Sequence, residues 1–292
     1  MLDLLCVGDV MLDVRVAAGM LARGGDVHGR VRIRPGGTSA NAAVWAAWCG
    51  ALAGVVAAVG DDVAGRLCED ALREQGVDVG GIVRHEAETG VMLVVTEERE
   101  RSMVADRGAN ATLRESDLPS LEAGAVLVSG YLFLQEPGHE VAVQAMERSR
   151  TPLLAVDAAS WPLVDAFGAD RFLLGTAHCD AILANGPEAT ALTGRQGLEA
   201  ARVLGERFRI AAVKLGSEGA VAVVDGVALR EPARPIGEHD PTGAGDAFDG
   251  VLLSSLARGV GPEEALADAC RAGERVAGGP ETWPETSPRD RS

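Results

Sequence analysis

Short apolar runs bounded by polar or glycine-rich turns alternate with longer stretches whose apolar residues recur every three or four positions. Leu4–Gly8, Gly54–Val59, Ala125–Ser129, Leu153–Asp157, Ala181–Ala184 and Ile210–Lys214 are apolar runs of strand length. Such runs suit strands covered on both faces. Ser39–Cys49, Asp62–Gln75, Glu140–Arg148, Pro187–Leu192, Leu198–Phe208 and Ala247–Arg258 read as helices, with Gly76 as the stop of the second. This alternation predicts a mainly parallel sheet with helices on both faces. Ala220–Val224 and Val227–Glu231, joined by Asp225-Gly226, predict a tight hairpin. Two stretches break the rhythm: Val27–Ile33 and Val91–Thr96 alternate apolar with polar residues, as half-exposed antiparallel strands do. They pair into a small separate sheet or extend an edge of the main one; the pattern fits both.

Composition narrows the class. The 292 residues are 47% hydrophobic but only 3% aromatic, so the core must be built from Val, Leu, Ile and Ala. A net charge of -16 repels phosphate backbones and argues against nucleic acid as a partner. Lys214 is the only lysine. The P-loop pattern Gly-x-x-x-x-Gly-Lys-Ser/Thr is thereby excluded. A dinucleotide-binding Gly-x-Gly-x-x-Gly is missing after the first strand, where Gly8-Asp9-Val10 stands. Five cysteines without C-x-x-C spacing read as reduced thiols. With no leader-like start and no apolar run of about 18 residues, a cytoplasmic protein with no membrane span is expected.

The segment richest in chemistry is Asp240-Pro241-Thr242-Gly243-Ala244-Gly245-Asp246, which opens a helix. Small residues at a helix start leave backbone amides open to an anion, and the helix dipole favours negative charge there. Asp246 beside such a site suits a base that takes a proton from an attacking hydroxyl, or it is simply an acid at a helix start. Gly36-Gly37-Thr38-Ser39-Ala40-Asn41 puts paired glycines before a helix whose first turn offers an amide to hydroxyls. Asp9 and Asp13 follow the first strand, at the carboxyl edge where ligands bind in open parallel sheets. Asn185 and Glu188 open another helix, fit equally to hold hydrated Mg²⁺ or to form a capping box.

Taken together, these segments resemble the ribokinase-like (PfkB) family of sugar kinases, over nearly the whole chain. Asp240–Asp246 is similar to its Asp-x-x-Gly-Ala-Gly-Asp motif, Gly36–Asn41 to its Gly-Gly-x-x-x-Asn, and Asn185–Glu188 to its Asn-x-x-Glu. Lys214-Leu215-Gly216-Ser217-Glu218-Gly219 is similar to its nucleotide turn, and Val59-Gly60-Asp61-Asp62 and Gly76-Val77-Asp78 to its connecting landmarks. Departures are Ser39, Val251 and the weakly matching 268–284, where Arg271, Gly273 and Glu274 replace the usual residues.

The resemblance implies a three-layer α/β/α fold with a mainly parallel central sheet and a small β lid. Residues 1–13, 35–84 and 106–280 would form the main domain, 14–34 and 85–105 the lid, and 281–292 a flexible tail. It implies an ATP-dependent kinase acting on a hydroxyl of a sugar, sugar acid or nucleoside, with Mg²⁺ and, in some members, K⁺. Asp246 would be the base, and Gly243, Ala244 and Gly245 the anion hole. Asp13, Gly36, Gly37, Asn41 and Asn110 would contact the substrate. Asn185, Lys214, Gly216, Ser217, Gly219 and residues 272–279 would line the nucleotide site. Glu188 would serve Mg²⁺; Asp240 and Thr242 would serve a monovalent cation. Arg101 or Arg107 would bind an anionic substrate group or remain solvated. A homodimer through the lid is expected. The competing expectation is a non-catalytic sugar- or nucleoside-binding protein that kept the fold.

Overall fold

The continuous apolar runs become the interior of a nine-stranded sheet. The computed structural model describes residues 1–19, 21–22, 24–97, 100–237, 240–279 and 281–284, without the side chains of 97, 100 and 101. In chain order the strands are β1 (Leu2–Val7), β2 (Met11–Ala18), β3 (Gly29–Gly36), β4 (Ala53–Gly60), β5 (Asp78–His85), β6 (Val91–Glu97), β7 (Glu100–Asp106), β8 (Ala123–Val128), β9 (Leu154–Asp157), β10 (Ala181–Asn185), β11 (Ile210–Lys214), β12 (Ala220–Val224) and β13 (Val227–Glu231). The large sheet runs β13-β12-β11-β10-β9-β8-β1-β4-β5. From β11 to β5 all pairings are parallel, and the β12–β13 hairpin adds two antiparallel strands at one edge.

Alternate residues of each parallel strand feed two cores. Leu4, Cys6, Val55 and Ala57 pack with the helices Thr38–Trp48, Ala244–Ala257 and Pro262–Ala277. Leu5, Val7, Val56 and Ala58 pack with Gly138–Arg148, Gly186–Thr193 and Gly197–Gly205 on the other face. Helix–sheet–helix layering follows from this two-sided burial. Small side chains let the layers close up. A Cβ on Gly250 would overlap the Ala42 carbonyl, so glycine there lets Ala244–Ala257 cross Thr38–Trp48 in close contact. That crossing sets Asn41 against Asp246.

The two alternating stretches form a separate four-stranded sheet, ordered β3-β2-β6-β7. β2–β3 and β6–β7 are antiparallel hairpins, but the central β2–β6 pair is parallel, unlike the antiparallel pairing expected. Each stretch folds its own hairpin, and the two dock side by side. Because β2 starts at Met11, Asp13 rides on this lid.

Sequence patterning missed β5, which contains Gly80 and Gly81 and lies half-exposed at the sheet edge. It also missed the helices Gly130–Phe133, Trp161–Phe167, Ala169–Gly175 and Pro262–Ala277. Residues 281–284, at the start of the expected flexible tail, are packed. Glu281 pairs with Arg32 at 2.9 Å and Arg34 at 3.2 Å, and the Trp45 indole N–H donates to the Thr282 carbonyl at 2.9 Å. Residues 285–292 of that expectation lie outside the described residues.

Candidate active site

A cavity of about 890 Å³ lies between the carboxyl edge of the large sheet and the lid. Parallel strands point their carboxyl ends and following loops at the same edge, which gathers polar residues from distant segments. Asp9 follows β1, and Asp157, Asn185 and Lys214 end β9, β10 and β11; all four line the cavity. Met92, Val94, Met103 and Ala105 of the lid close one side. The Gly216–Gly219 turn, residues 233–236 and the last helix line the other.

Between these sides sits the start of helix Ala244–Ala257. Gly243 precedes it with φ +85, and Gly243, Ala244, Gly245 and Asp246 all face the cavity. The Asn41 Nδ2 donates to Asp246 Oδ2 at 2.8 Å, and Asn41 Oδ1 accepts from the Trp283 indole N–H at 2.7 Å. Asp246 keeps part of its surface open to the cavity, yet desolvation by the surrounding protein dominates its ionisation. Burial raises its pKa from 3.8 to about 7; Asn41 and Lys214 work against that rise, while Asp249 and Asp9 add to it.

One turn further along the same helix, Asp249 takes the Lys214 ammonium on both oxygens, at 2.8 and 2.7 Å. Burial works against that ammonium, but the carboxylates of Asp249, Glu188 and Asp157 outweigh it and hold Lys214 above the ordinary lysine pKa. Lys214 Nζ lies 3.4 Å from where a Cβ on Gly245 would stand, so the positive charge adjoins the helix start. There the Ala244 N–H donates to the Pro241 carbonyl at 3.0 Å, so that amide of the expected anion hole is already taken. Asn185 and Glu188 form a closed capping box. The Asn185 N–H and Nδ2 donate to Glu188 at 2.8 and 2.6 Å, and the Glu188 N–H donates to Asn185 Oδ1 at 2.9 Å. Burial pushes the Glu188 carboxyl above its ordinary pKa, and Asp157 is pushed up likewise.

Among the described residues no group of three or more His, Cys, Asp or Glu forms a metal cage. Mg²⁺ delivered with nucleotide phosphates needs only one or two carboxylates. Glu188, buried on the cavity wall with spare lone pairs, fits that need. Asp240 does not fit a monovalent cation in the same way. Its Oδ2 takes Arg15 Nη1 at 3.2 Å and its Oδ1 takes the Thr242 N–H at 2.9 Å, so a guanidinium already balances this carboxylate.

Most of the sequence-predicted residues come together here: Asp13, Gly37, Asn41, Asn185, Glu188, Lys214, Gly216, Ser217, Gly219 and Thr242–Asp246 line one cavity. Three candidates do not. Asn110 is 1% exposed and spends its amide on Val10, accepting from the N–H at 3.0 Å and donating to the carbonyl at 2.9 Å. It braces the segment entering the lid instead of facing a ligand. Gly36 acts by leaving room, since a Cβ there would stand 2.7 Å from Asp13 Oδ2. Asp240 does not line the cavity and pairs with Arg15 at 3.2 Å. Asp9 lines the cavity, but its carboxylate accepts from the Thr38 N–H at 3.0 Å and Ser129 Oγ at 3.2 Å, tying β1 to two helix starts. Arg107 lines the lid side, held by the Tyr131 carbonyl at 3.2 Å and Gln135 Oε1 at 3.1 Å. The Arg101 side chain lies outside the described residues. Sequence reading passed over Asp249, Asp157, Arg15 and Trp283. Asp249 had a signal, being three residues after Asp246 and so on the same helix face.

The model of the pfkB family carbohydrate kinases matches residues 1–283. The chain belongs to that family. As a pfkB-family kinase it is a phosphotransferase with an alcohol group as acceptor. The kinase is 31% identical over 272 residues to a fructokinase of Klebsiella pneumoniae, covering 85% of this chain and 87% of the relative. It is also 31% identical over 260 residues to a 2-dehydro-3-deoxygluconokinase of Thermoproteus tenax, covering 83% and 79%. In fold it matches the crystal structure of an adenosine kinase from Sinorhizobium meliloti with a TM-score of 0.87 at 23% identity, covering 99% of this chain and 98% of that one.

Proposed function

We propose that this kinase transfers the γ-phosphoryl group of ATP to a hydroxyl of a sugar or sugar-like molecule, with Asp246 as general base. The observation that carries the reading is the Asp246 carboxylate, set in the first turn of a glycine-rich helix start, facing the cavity and with a pKa of about 7. A base poised near neutral pH can accept a proton from an alcohol and release it afterwards.

In the proposed reaction the substrate O–H proton passes to Asp246 and the oxygen forms a bond to the γ-phosphorus. The bond from that phosphorus to the bridging oxygen breaks, and its electron pair leaves with ADP. The amides of Gly243 and Gly245 would meet the charge spread over the transferring group, with Lys214 beside them. Mg²⁺, when bound, would screen the phosphate charge; Asn185 and Glu188 are the residues to hold it. Gly216, Ser217 and Gly219 would receive the nucleotide, and Asp13, Gly37 and Asn41 the substrate hydroxyls.

Within the substrate class, Arg107 favours a sugar acid. Its guanidinium is pinned to the cavity wall by two acceptors and retains further N–H donors for a carboxylate. The name of the Thermoproteus tenax relative refers to such a compound. Exposed Val31, Ile33 and Val104 on the lid support pairing of two copies; sedimentation as a single chain would contradict that pairing.

An ADP-release assay over 2-keto-3-deoxygluconate, fructose, ribose and adenosine tests the reading. Turnover is expected with at least one, and the sugar acid should give the highest kcat/KM. Tight binding of one of them without ADP release would favour the non-catalytic alternative.

A further inference from the structure

Asp246 does not meet Asn41 by chance of local sequence: residue 41 lies in the helix after the lid, and the other end of its amide is held from the opposite end of the chain. An indole Nε1 carries a hydrogen and can only donate. At 2.7 Å from Trp283 Nε1, the Asn41 atom must therefore be the oxygen. The other amide atom, 2.8 Å from Asp246 Oδ2, must then be the nitrogen. A flipped amide would set donor against donor at the indole and acceptor against acceptor at the carboxylate.

We propose that Trp283 is a positioning residue for the base: its indole N–H locks the Asn41 amide so that Asn41 can only donate to Asp246. The inference rests on the reading of Asp246 as the base. A locked donor stabilises the carboxylate and offers nothing to the protonated acid. Without the lock, the amide is free to turn its oxygen toward a protonated Asp246 and accept from it, so the proton is held more tightly. Trp283 would thus keep the base available at neutral pH.

The segment that carries Trp283 is anchored on both sides. The Thr282 carbonyl takes the Trp45 indole N–H, Thr282 Oγ1 takes an Arg15 guanidinium N–H, and Glu281 pairs with Arg32 and Arg34 of the lid. Thr282 also packs against Gly243, where a Cβ would overlap its methyl group. Other charges facing Asp246 come from Asp249 on its own helix, Lys214 at the end of β11 and Asp9 after β1. Tyr131 and Cys6 are neutral neighbours whose ionisation the Asp246 charge opposes.

The test is the pH profile of kcat at saturating substrates for the wild type and Trp283→Phe, with melting curves as a folding check. The acid limb should move up by about one pH unit in the variant, as loss of a bond selective for the charged form requires. The rate should approach the wild-type plateau above the new limb. Should Trp283→Phe fold poorly, benzothienylalanine at position 283 keeps the ring shape and removes only the N–H; the same shift is expected. A lower kcat at every pH with an unmoved limb would overturn the positioning role and leave only a structural one. If the wild type has no acid limb, or Asp246→Asn turns over normally, the reading of the base fails first. A wild-type limb that both variants leave in place defeats the inference about Trp283 alone.

Discussion

The two sides of the cavity are built in opposite ways. On the side proposed for the nucleotide, the polar groups satisfy one another at strand ends and helix starts. Asn185 and Glu188 close a box three residues apart, and Lys214 and Asp249 pair across one strand end and one helix. On the side proposed for the substrate, most links join segments far apart in the chain, the Arg15–Asp13 pair excepted. Asn41 meets Asp246 and Trp283, and Arg15 of the lid meets Asp240 and Thr282. The first side is preformed by the sheet edge. The second exists only when the lid, the helix starts and residues 281–284 are docked together. On the proposed assignment, a preformed phosphate site and an assembled hydroxyl site would let the substrate side change without disturbing the nucleotide side.

The strongest way to break this contrast is Lys214→Met. It leaves Asp249, 2% exposed, without its counter-charge, and losing one partner of a buried pair costs roughly 3–5 kcal/mol. Denaturant melts should show that loss, and nucleotide affinity should fall with it. A Lys214→Met, Asp249→Leu double variant should regain most of the stability, because apolar replacement of a buried pair is often neutral. Its phosphoryl transfer should stay low. A single variant that melts like the wild type would mean the pair adds no rigidity to that side.

The smallest expected effect concerns cations. Because Arg15 already balances Asp240, exchanging K⁺ for Na⁺ at equal ionic strength should leave kcat unchanged. Strong activation by K⁺ would show that a cation site forms elsewhere or displaces the guanidinium.

The glycine-rich helix and turn starts of the proposed nucleotide side were legible as local patterns, whereas Asp157 at the end of β9 and Asp249 beside Lys214 were not. β11 was bounded correctly as Ile210–Lys214, and the Asp225-Gly226 turn has both residues at positive φ, 48° and 79°, as a two-residue hairpin requires. The substrate side was legible only in part. Asn110 was expected at the ligand because its segment resembles the family's ligand-facing loop, but its pairing with Val10 spans 100 positions. Trp283 stood in a run of Pro, Glu and Thr that reads as tail, and its bond to Asn41, with the lid arginines and Trp45, reveals that segment as docked. Contacts of that range leave no periodic trace in a single chain.

The central claim is a base that ionises near neutrality at the glycine-rich helix start. Its most direct test compares wild type and Asp246→Asn for kcat from pH 5 to 9, substrate binding and thermal stability. Wild-type kcat should rise with pH through about 7, because only the deprotonated acid accepts the hydroxyl proton. The asparagine variant should bind substrate but turn over about 10²–10⁴-fold more slowly. The folded state holds the Asp246 proton more tightly than the unfolded chain, so the stability linked to it is present at low pH and lost as pH rises through about 7. Asparagine mimics the neutral acid, and the variant should therefore melt higher than wild type at pH 8. A wild-type rate flat across that range, with near-normal turnover by the variant, would contradict the account.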